Sequence, residues 1–158
     1  TIDLIRRVNP GIVLSHSPFD YHSDHRTTGN MVEMCCQLTT LPNVPCDTSP
    51  MEKTPLFYRT APMTFTDVLG NPIPEPHFYV NITGVMETKM TMLSFHQSQI
   101  ELMKVMHGMD NFFEDCEDYN SEVGKKAGVP FAEYFWQHLG GGFQKEPLIQ
   151  NELGELIK

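Results

Sequence analysis

The order of apolar and polar positions along the chain predicts an alternation of helices and strands. Residues 1–8 place apolar side chains at near-helical spacing, and Pro10 ends that predicted helix. The run GIVL at residues 11–14 is short, apolar and rich in β-branched side chains, so it predicts a buried strand. At about residues 27–39, apolar positions recur at three- and four-residue steps, as on one helix face. Helix, strand, polar loop and helix in succession indicate an α/β architecture.

The rest of the chain continues this pattern after one long proline-rich connection. The further predicted segments are strands at residues 56–58 and 78–80, and helices at about residues 83–96, from 98 through 116, and within 143–158. Residues 41–76 carry most of the prolines and a turn signal at residues 70–72, which is typical of a segment that wraps a surface or covers a site. We predict one domain over residues 1–158, with 41–76 as a connecting or covering segment and 143–158 as a tail helix.

Composition and charge limit the classes of molecule that are expected to bind this protein. The 158-residue chain is 40% hydrophobic and 20% charged, an ordinary globular composition. Its net charge is −9 and no basic stripe occurs, so nucleic acid and anionic membrane are not expected as partners. No apolar run approaches the roughly 20 residues that span a bilayer, and the chain starts without the apolar core of a signal peptide. The four cysteines have no CxxC spacing, so we expect reduced thiols and a cytoplasmic location.

A polar stretch rich in histidine, SHSPFDYHSDHR, follows the first predicted strand. It spans residues 15–26 and holds three of the seven histidines. In open α/β sheets, ligands bind in the crevice beyond the carboxyl ends of strands, so its position favours a functional site. A catalytic zinc generally takes three protein ligands and leaves one position for water, and two histidines do not complete that set. From these residues alone, a metal site and a hydrogen-bonded polar turn both stay open.

The spacing within this stretch assigns different tasks to its side chains. His22 and His25 are three residues apart, so on a helical turn one can bind a metal while the other reaches a substrate oxygen. The second ring nitrogen of a metal-binding histidine usually needs a carboxylate or carbonyl partner, a role that Asp20 or Asp24 can fill. His16 lies directly at the strand end, and we interpret it as a structural histidine.

Three segments, in order, resemble the LmbE-like, PIG-L-type deacetylases, which are zinc hydrolases that remove acetyl from N-acetylglucosamine groups. The segments are NPGIVLSHSPFDYHSDHRTTG, HFYVNITGVMETKMTMLSFHQSQ and GKKAGVPFAEYF, so the resemblance runs from about residue 10 to 135. It implies a Rossmann-like, partly parallel sheet flanked by helices. The family's early His-Pro-Asp-Asp segment, which supplies two metal ligands and the general-base Asp, does not occur in this sequence. We therefore interpret the chain as the carboxyl-terminal part of such a fold, lacking its amino-terminal strand-helix segment.

The resemblance also implies a role for individual residues. His25 corresponds to the family's metal-binding histidine, and His22 to the histidine that stabilises the oxyanion or protonates the leaving amine. Asp24 would orient His22. Asp20 would be a hydrogen-bond partner of the metal-binding residues and not a ligand itself. Asn81 departs from the family's usual Asp before Ile-Thr, which removes any charged role at that position but not the predicted strand.

The implied activity is a metal-dependent amide hydrolysis that releases acetate from an N-acetylated amino sugar. The cofactor is expected to be zinc or another divalent metal, and the site would be complete only with an upstream His-Pro-Asp-Asp segment. The alternative is a noncatalytic sugar-binding domain of the same fold. A homo-oligomer stays open as a further partner.

Other polar residues of the second half have a simpler interpretation. We expect caps, solvated charges and interface packing, not substrate contacts, at Lys89, His96, Ser98, Gln99 and Glu133. The acidic run EDCED indicates a solvated helix face, because no histidine is interleaved with it.

Overall fold

The computed structural model describes residues 1–158, apart from the side chain of His107. Its α-helices are α1 (Ile2–Val8), α2 (Ser23–Leu38), α3 (Met86–Ser94), α4 (Gln97–His107), α5 (Phe112–Ala127) and α6 (Leu148–Leu153), and its strands are β1 (Ile12–His16), β2 (Leu56–Thr60), β3 (Phe78–Asn81) and β4 (Ala132–Gln137). The strand order is β1-β2-β4-β3, with β1 parallel to β2 and β2 antiparallel to β4. This partly parallel sheet with helices confirms the predicted α/β class.

The chain divides into two compact units. The first consists of residues 1–77 and 135–152, and the second of residues 78–134 and 153–158. The boundary falls inside β4, so that strand contributes to both. The single domain over residues 1–158 stays a prediction.

In the first unit, local signals explain how the chain enters the sheet. Helix α1 ends at Asn9, which adopts the left-handed conformation at φ 48°, and Pro10 cannot continue the helix. β1 then pairs in parallel with β2 in a register that runs from Ile12 opposite Leu56 to His16 opposite Thr60. The core of this unit is formed by Ile5, Cys35, Cys36, Met51, Phe57 and Phe143. Packing of α1 and α2 on one sheet face thus leaves the carboxyl end of β1 to start the polar loop.

In the second unit, the end of the chain lies along β3. Tyr79 and Lys158 exchange two main-chain hydrogen bonds, of 3.0 and 2.9 Å, and Val80 forms an antiparallel bridge with Ile157. This pairing covers main-chain groups that β3 would otherwise present as a sheet edge. Helix α5 ends at Gly128, whose φ of 72° favours glycine.

Several element boundaries differ from the predicted ones. α2 begins at residue 23 instead of about 27, and the helical region predicted from 98 through 116 is two helices, separated at the left-handed Gly108. Ser98, predicted to begin a capping box, lies inside α4, which starts at Gln97. The tail helix is shorter than 143–158, because α6 gives way to a 3₁₀ turn at Gly154–Leu156. None of the described helices has the length and apolar composition to cross a membrane.

Candidate functional site

The histidine-rich stretch turns from the end of β1 into the first turn of α2. His16 is the last residue of β1, and His22 is the N-cap of α2, with extended backbone at φ −85° and ψ 127°. The Nδ1 atom of His22 accepts a hydrogen bond of 3.3 Å from the N–H of Asp24. Helix amino termini leave N–H groups without partners, and here a histidine ring takes the place of the usual Ser or Asp oxygen.

Asp20 anchors this turn with its buried carboxylate. The residue is 4% exposed. Its Oδ1 accepts from the N–H of His22 at 2.8 Å, and its Oδ2 lies 3.1 Å from Nδ1 of His25. Arg26 donates to the Asp20 carbonyl at 2.6 Å. One carboxylate therefore fixes both the entry into α2 and the ring of a histidine on its first turn.

The three imidazole rings lie together. The rings of His16 and His25 are stacked, with centroids 4.4 Å apart and planes inclined by 6°. The rings of His22 and His25 are 4.8 Å apart at 35°. The Tyr21 ring meets both His22 and His25 edge-on. The sequence stretch is thus a compact cluster at the carboxyl end of β1.

For the neutral form of His22 and of His25, the hydrogen-bond partners select opposite tautomers. Nδ1 of His25 faces a carboxylate, so it carries the proton and leaves the Nε2 lone pair available. Nδ1 of His22 accepts a backbone N–H, so the proton of that ring is on Nε2. Burial, and next the neighbouring His25, lower the pKa of His16, while Asp20 acts in the opposite direction. The cluster therefore offers one free lone pair at His25 and one N–H donor at His22.

These side chains have the chemistry of a metal site. His16, Asp20 and His25 each offer one ligand atom, and these atoms lie within 4.8 Å of one another. Imidazole nitrogen and carboxylate oxygen are ordinary zinc ligands. The lone pair of an imidazole nitrogen lies in the plane of its ring, and the His16 and His25 rings lie in two nearly parallel planes. Both rings therefore cannot bind the same ion unless one of them rotates. The arrangement best fits a metal held at Nε2 of His25, with Asp20 as the hydrogen-bond partner of that ring.

The structure brings all the predicted site residues into this one turn, and their roles stay predictions. Asp24 contacts His22 through its main-chain N–H, whereas its carboxylate accepts from the Ser23 hydroxyl at 3.3 Å. Orientation of His22 thus depends on the backbone of Asp24 more than on its charge. His16, interpreted as structural, stacks on His25 instead of lying apart from the cluster.

The sequence analysis did not identify three residues beside this cluster. They are Glu33, Arg59 and His138, which form a hydrogen-bonded group in the same unit, with Arg59 buried and the other two half-buried. The available signal was the spacing of His25, Gly29 and Glu33, which recur every four residues and so share one face of α2. No local pattern in the sequence linked Arg59, on β2, or His138, directly after β4, to this helix face.

Several polar residues of the second unit have local partners or positions, and the absence of substrate contacts there stays a prediction. Lys89 donates to Asn120 at 2.9 Å and forms an ion pair of 2.5 Å with Glu133. His96 precedes α4 as its N-cap residue. The side-chain oxygen of Asn81 accepts from the N–H of Thr83 at 3.0 Å, so this departure from Asp serves a local turn.

Solved structures show which fold this is. Neither a family model nor a curated protein matches the sequence. An N,N'-diacetylchitobiose deacetylase from Pyrococcus horikoshii superposes with a TM-score of 0.69 at 20% identity, over 95% of this chain and 54% of its own. GalB, the 4-carboxy-2-hydroxymuconate hydratase from Pseudomonas putida, gives 0.64 at 19% identity, over 91% and 58%. A conserved protein from Thermus thermophilus gives 0.65 at 22% identity, over 87% and 56%.

The predicted resemblance is confirmed at the level of the fold. The chain has the LmbE-like, PIG-L-type α/β fold, which is shared by a deacetylase and a hydratase. It spans 54% to 58% of the length of these three proteins. Since one fold hosts several activities, the activity has to be argued from the site.

Proposed function

We propose that this chain is part of a zinc-dependent N-deacetylase that removes acetyl from an N-acetylated amino sugar. The observation that carries the proposal is the pair of ring contacts: Nδ1 of His25 faces the Asp20 carboxylate, and Nδ1 of His22 accepts the N–H of Asp24. These contacts favour a free Nε2 lone pair at His25, which could hold a metal, and an Nε2–H at His22, which could stabilise an oxyanion. The fold shared with a chitobiose deacetylase supports the same assignment. An upstream His-Pro-Asp-Asp segment in the full-length protein would complete the ligands.

Each side chain of the cluster has a distinct task in this proposal. His25 would hold the metal through Nε2. Asp20 accepts a hydrogen bond from Nδ1–H on the opposite side of the ring, which fixes the ring and raises its basicity as a ligand. When bound, the zinc ion supplies polarisation of the acetyl carbonyl and a lowered pKa for the attacking water. His22 presents its Nε2–H to the carbonyl oxygen and stabilises the negative charge that develops there.

An acetate-release assay tests this function. The full-length protein is incubated with N-acetylglucosamine and N,N'-diacetylchitobiose, after chelation and again after zinc is restored. We expect acetate release that stops on chelation and returns with zinc. His96→Ala is a matched control, since that exposed histidine lies at the start of α4, outside the cluster, and should leave the rate unchanged.

Two results would replace the proposal with another function. Sugar binding without metal-dependent acetate release would identify a noncatalytic sugar-binding domain. No acetate release, together with addition of water to the double bond of an unsaturated carboxylic acid, would assign the chain to the hydratase chemistry found in the same fold.

A further inference from the structure

A partly buried ion pair holds the main chain behind the histidine cluster. Arg59 and Glu33 form the pair, and His138 joins it through Glu33. We propose that Arg59 is a positioning residue for His25, because it fixes the last carbonyl of β1 and thereby the His16 ring on which His25 stacks. The inference deepens the proposed function and rests on it for its catalytic consequence. Its structural part concerns the metal-free protein.

Arg59 is held on several sides. It is 6% exposed, and its Nη1 donates to the carbonyl of His16 at 2.7 Å, while Nη2 pairs with the Glu33 carboxylate. Its guanidinium carbon lies 4.8 Å from the centroid of the Phe57 ring. Burial lowers the pKa of Arg59 to about 10, so the group stays charged at neutral pH. A planar guanidinium with several fixed partners defines a direction that a flexible ammonium group does not.

Glu33 is shared between Arg59 and a neutral histidine. Nε2 of His138 lies 3.0 Å from the second oxygen of Glu33. The N–H of Gly140 donates to Nδ1 of His138 at 3.2 Å, so the neutral ring carries its proton on Nε2 and donates it to Glu33. Burial, and next the charge of Arg59, lower the pKa of His138. The group therefore contains one balanced pair of charges, with a hydrogen bond to each oxygen of the Glu33 carboxylate.

His25 and Glu33, which is the helical member of the ion pair, lie on the same stripe along one face of helix α2. His25, Gly29 and Glu33 follow one another at four-residue steps. A Cβ atom on Gly29 would lie 2.6 Å from the His16 carbonyl oxygen and 2.8 Å from Nη1 of Arg59. The helix thus approaches the end of β1 so closely that glycine is required between the two polar contacts.

This stripe ties three successive helical turns to the end of β1. The first contact is the His16 and His25 ring stack, the second is the approach of Gly29 to the His16 carbonyl, and the third is the ion pair at Glu33. A slide of α2 along β1 would break all three together. Arg59 lies at the centre of this arrangement, because it contacts both the strand carbonyl and the helix carboxylate.

Substitution of Arg59 by Lys tests the inference. Lysine keeps the charge but cannot hold the carbonyl and the carboxylate in the same geometry. In the metal-free full-length protein, NMR should show loss of the ring-current shift that stacking gives the His16 and His25 ring protons. Zinc titration should show a Kd raised by about 10- to 100-fold, the usual effect of losing support behind a ligand. Glu33→Gln provides a second variant for the same two measurements.

Arg6→Lys is the matched control. Arg6 is also 6% exposed and donates to main-chain carbonyls, but it does so from α1 to residues 39, 41 and 48. The control should lose stability and retain both the stacking shift and the zinc affinity. Equal losses in Arg6→Lys, or unchanged stacking in both Arg59→Lys and Glu33→Gln, would overturn the inference. Because the stacking signal needs neither metal nor substrate, failure of the deacetylase proposal would leave this test intact.

Discussion

At the scale of single residues, one buried carboxylate decides what two histidines can do. Asp20 accepts hydrogen bonds from Nδ1–H of His25 and from the main-chain N–H of His22. The His22 ring is then fixed by a backbone N–H of α2, which leaves its own proton on the opposite nitrogen. Two chemically identical side chains, three positions apart, thereby acquire different hydrogen-bond partners. The sequence predicted which residues belong to the cluster, but not the partner of each ring nitrogen, and the separate tasks of the two histidines stay a prediction.

We expect the His22→Ala and His25→Ala variants of the full-length protein to differ in zinc content and in kinetics. Loss of His25 should reduce zinc content and activity together, because the proposed ligand is gone. His22→Ala should retain zinc and lower kcat on the order of 10²- to 10³-fold with little change in KM, since its donor meets charge that develops during reaction. Metal analysis and steady-state kinetics on both variants measure the difference.

Asp24→Asn is the companion variant for this pair. It retains the N–H that binds His22, so its rate should fall only slightly below that of the wild type and stay well above that of His22→Ala. If His22→Ala lost the metal and His25→Ala kept it, the two roles would have to be exchanged. No effect of either substitution on turnover would reduce the cluster to a polar turn.

At the scale of elements, helix α2 shows what a hydrophobic pattern can and cannot predict. Apolar periodicity indicated the helix but placed its start near residue 27, because the first turn is polar. The start at Ser23 depends on His22 acting as N-cap, an interaction that periodicity does not contain. Similarly, Gly108 divides the region predicted as one helix, since its left-handed conformation ends α4.

Gly29→Ala distinguishes helix propensity from packing. Alanine is favoured over glycine within a helix by about 1 kcal/mol, so propensity alone predicts a more stable protein. The close approach to His16 and Arg59 predicts the reverse, a loss of about 1–3 kcal/mol in the free energy of unfolding, because backbone cannot yield as a flexible side chain can. Urea denaturation measures the sign. Gly11→Ala, where an added Cβ meets nothing within 4 Å, is the control, and greater stability of Gly29→Ala would refute the packing argument.

At the scale of the whole molecule, local signals predicted the succession of elements, and long-range pairing determined the rest. The strand at 11–14 and the helix after it follow from nearby residues. β4 was not predicted, and its antiparallel pairing with β2 joins segments far apart in sequence. The contact between Glu33 and His138 spans 105 positions. Such contacts form only after the sheet is assembled, so no window of sequence contains them.

His138 gives the folded protein a dependence on pH that reports on this long-range cluster. Its pKa is lowered in the folded chain, by burial first and by Arg59 next, so the unfolded chain binds the proton more readily. The stability that this group contributes is therefore present above about pH 6.5, the ordinary value for histidine, and is lost as the pH falls below it. His16, whose pKa is lowered by burial, acts in the same direction. We expect the free energy of unfolding in urea to be lower at pH 5 than at pH 7.5.

His138→Gln, which keeps an N–H donor for Glu33 but does not titrate, should reduce that difference, whereas His96→Gln should leave it unchanged. An undiminished difference in His138→Gln would mean that the neutral ring at this position does not contribute to the acid sensitivity of the fold.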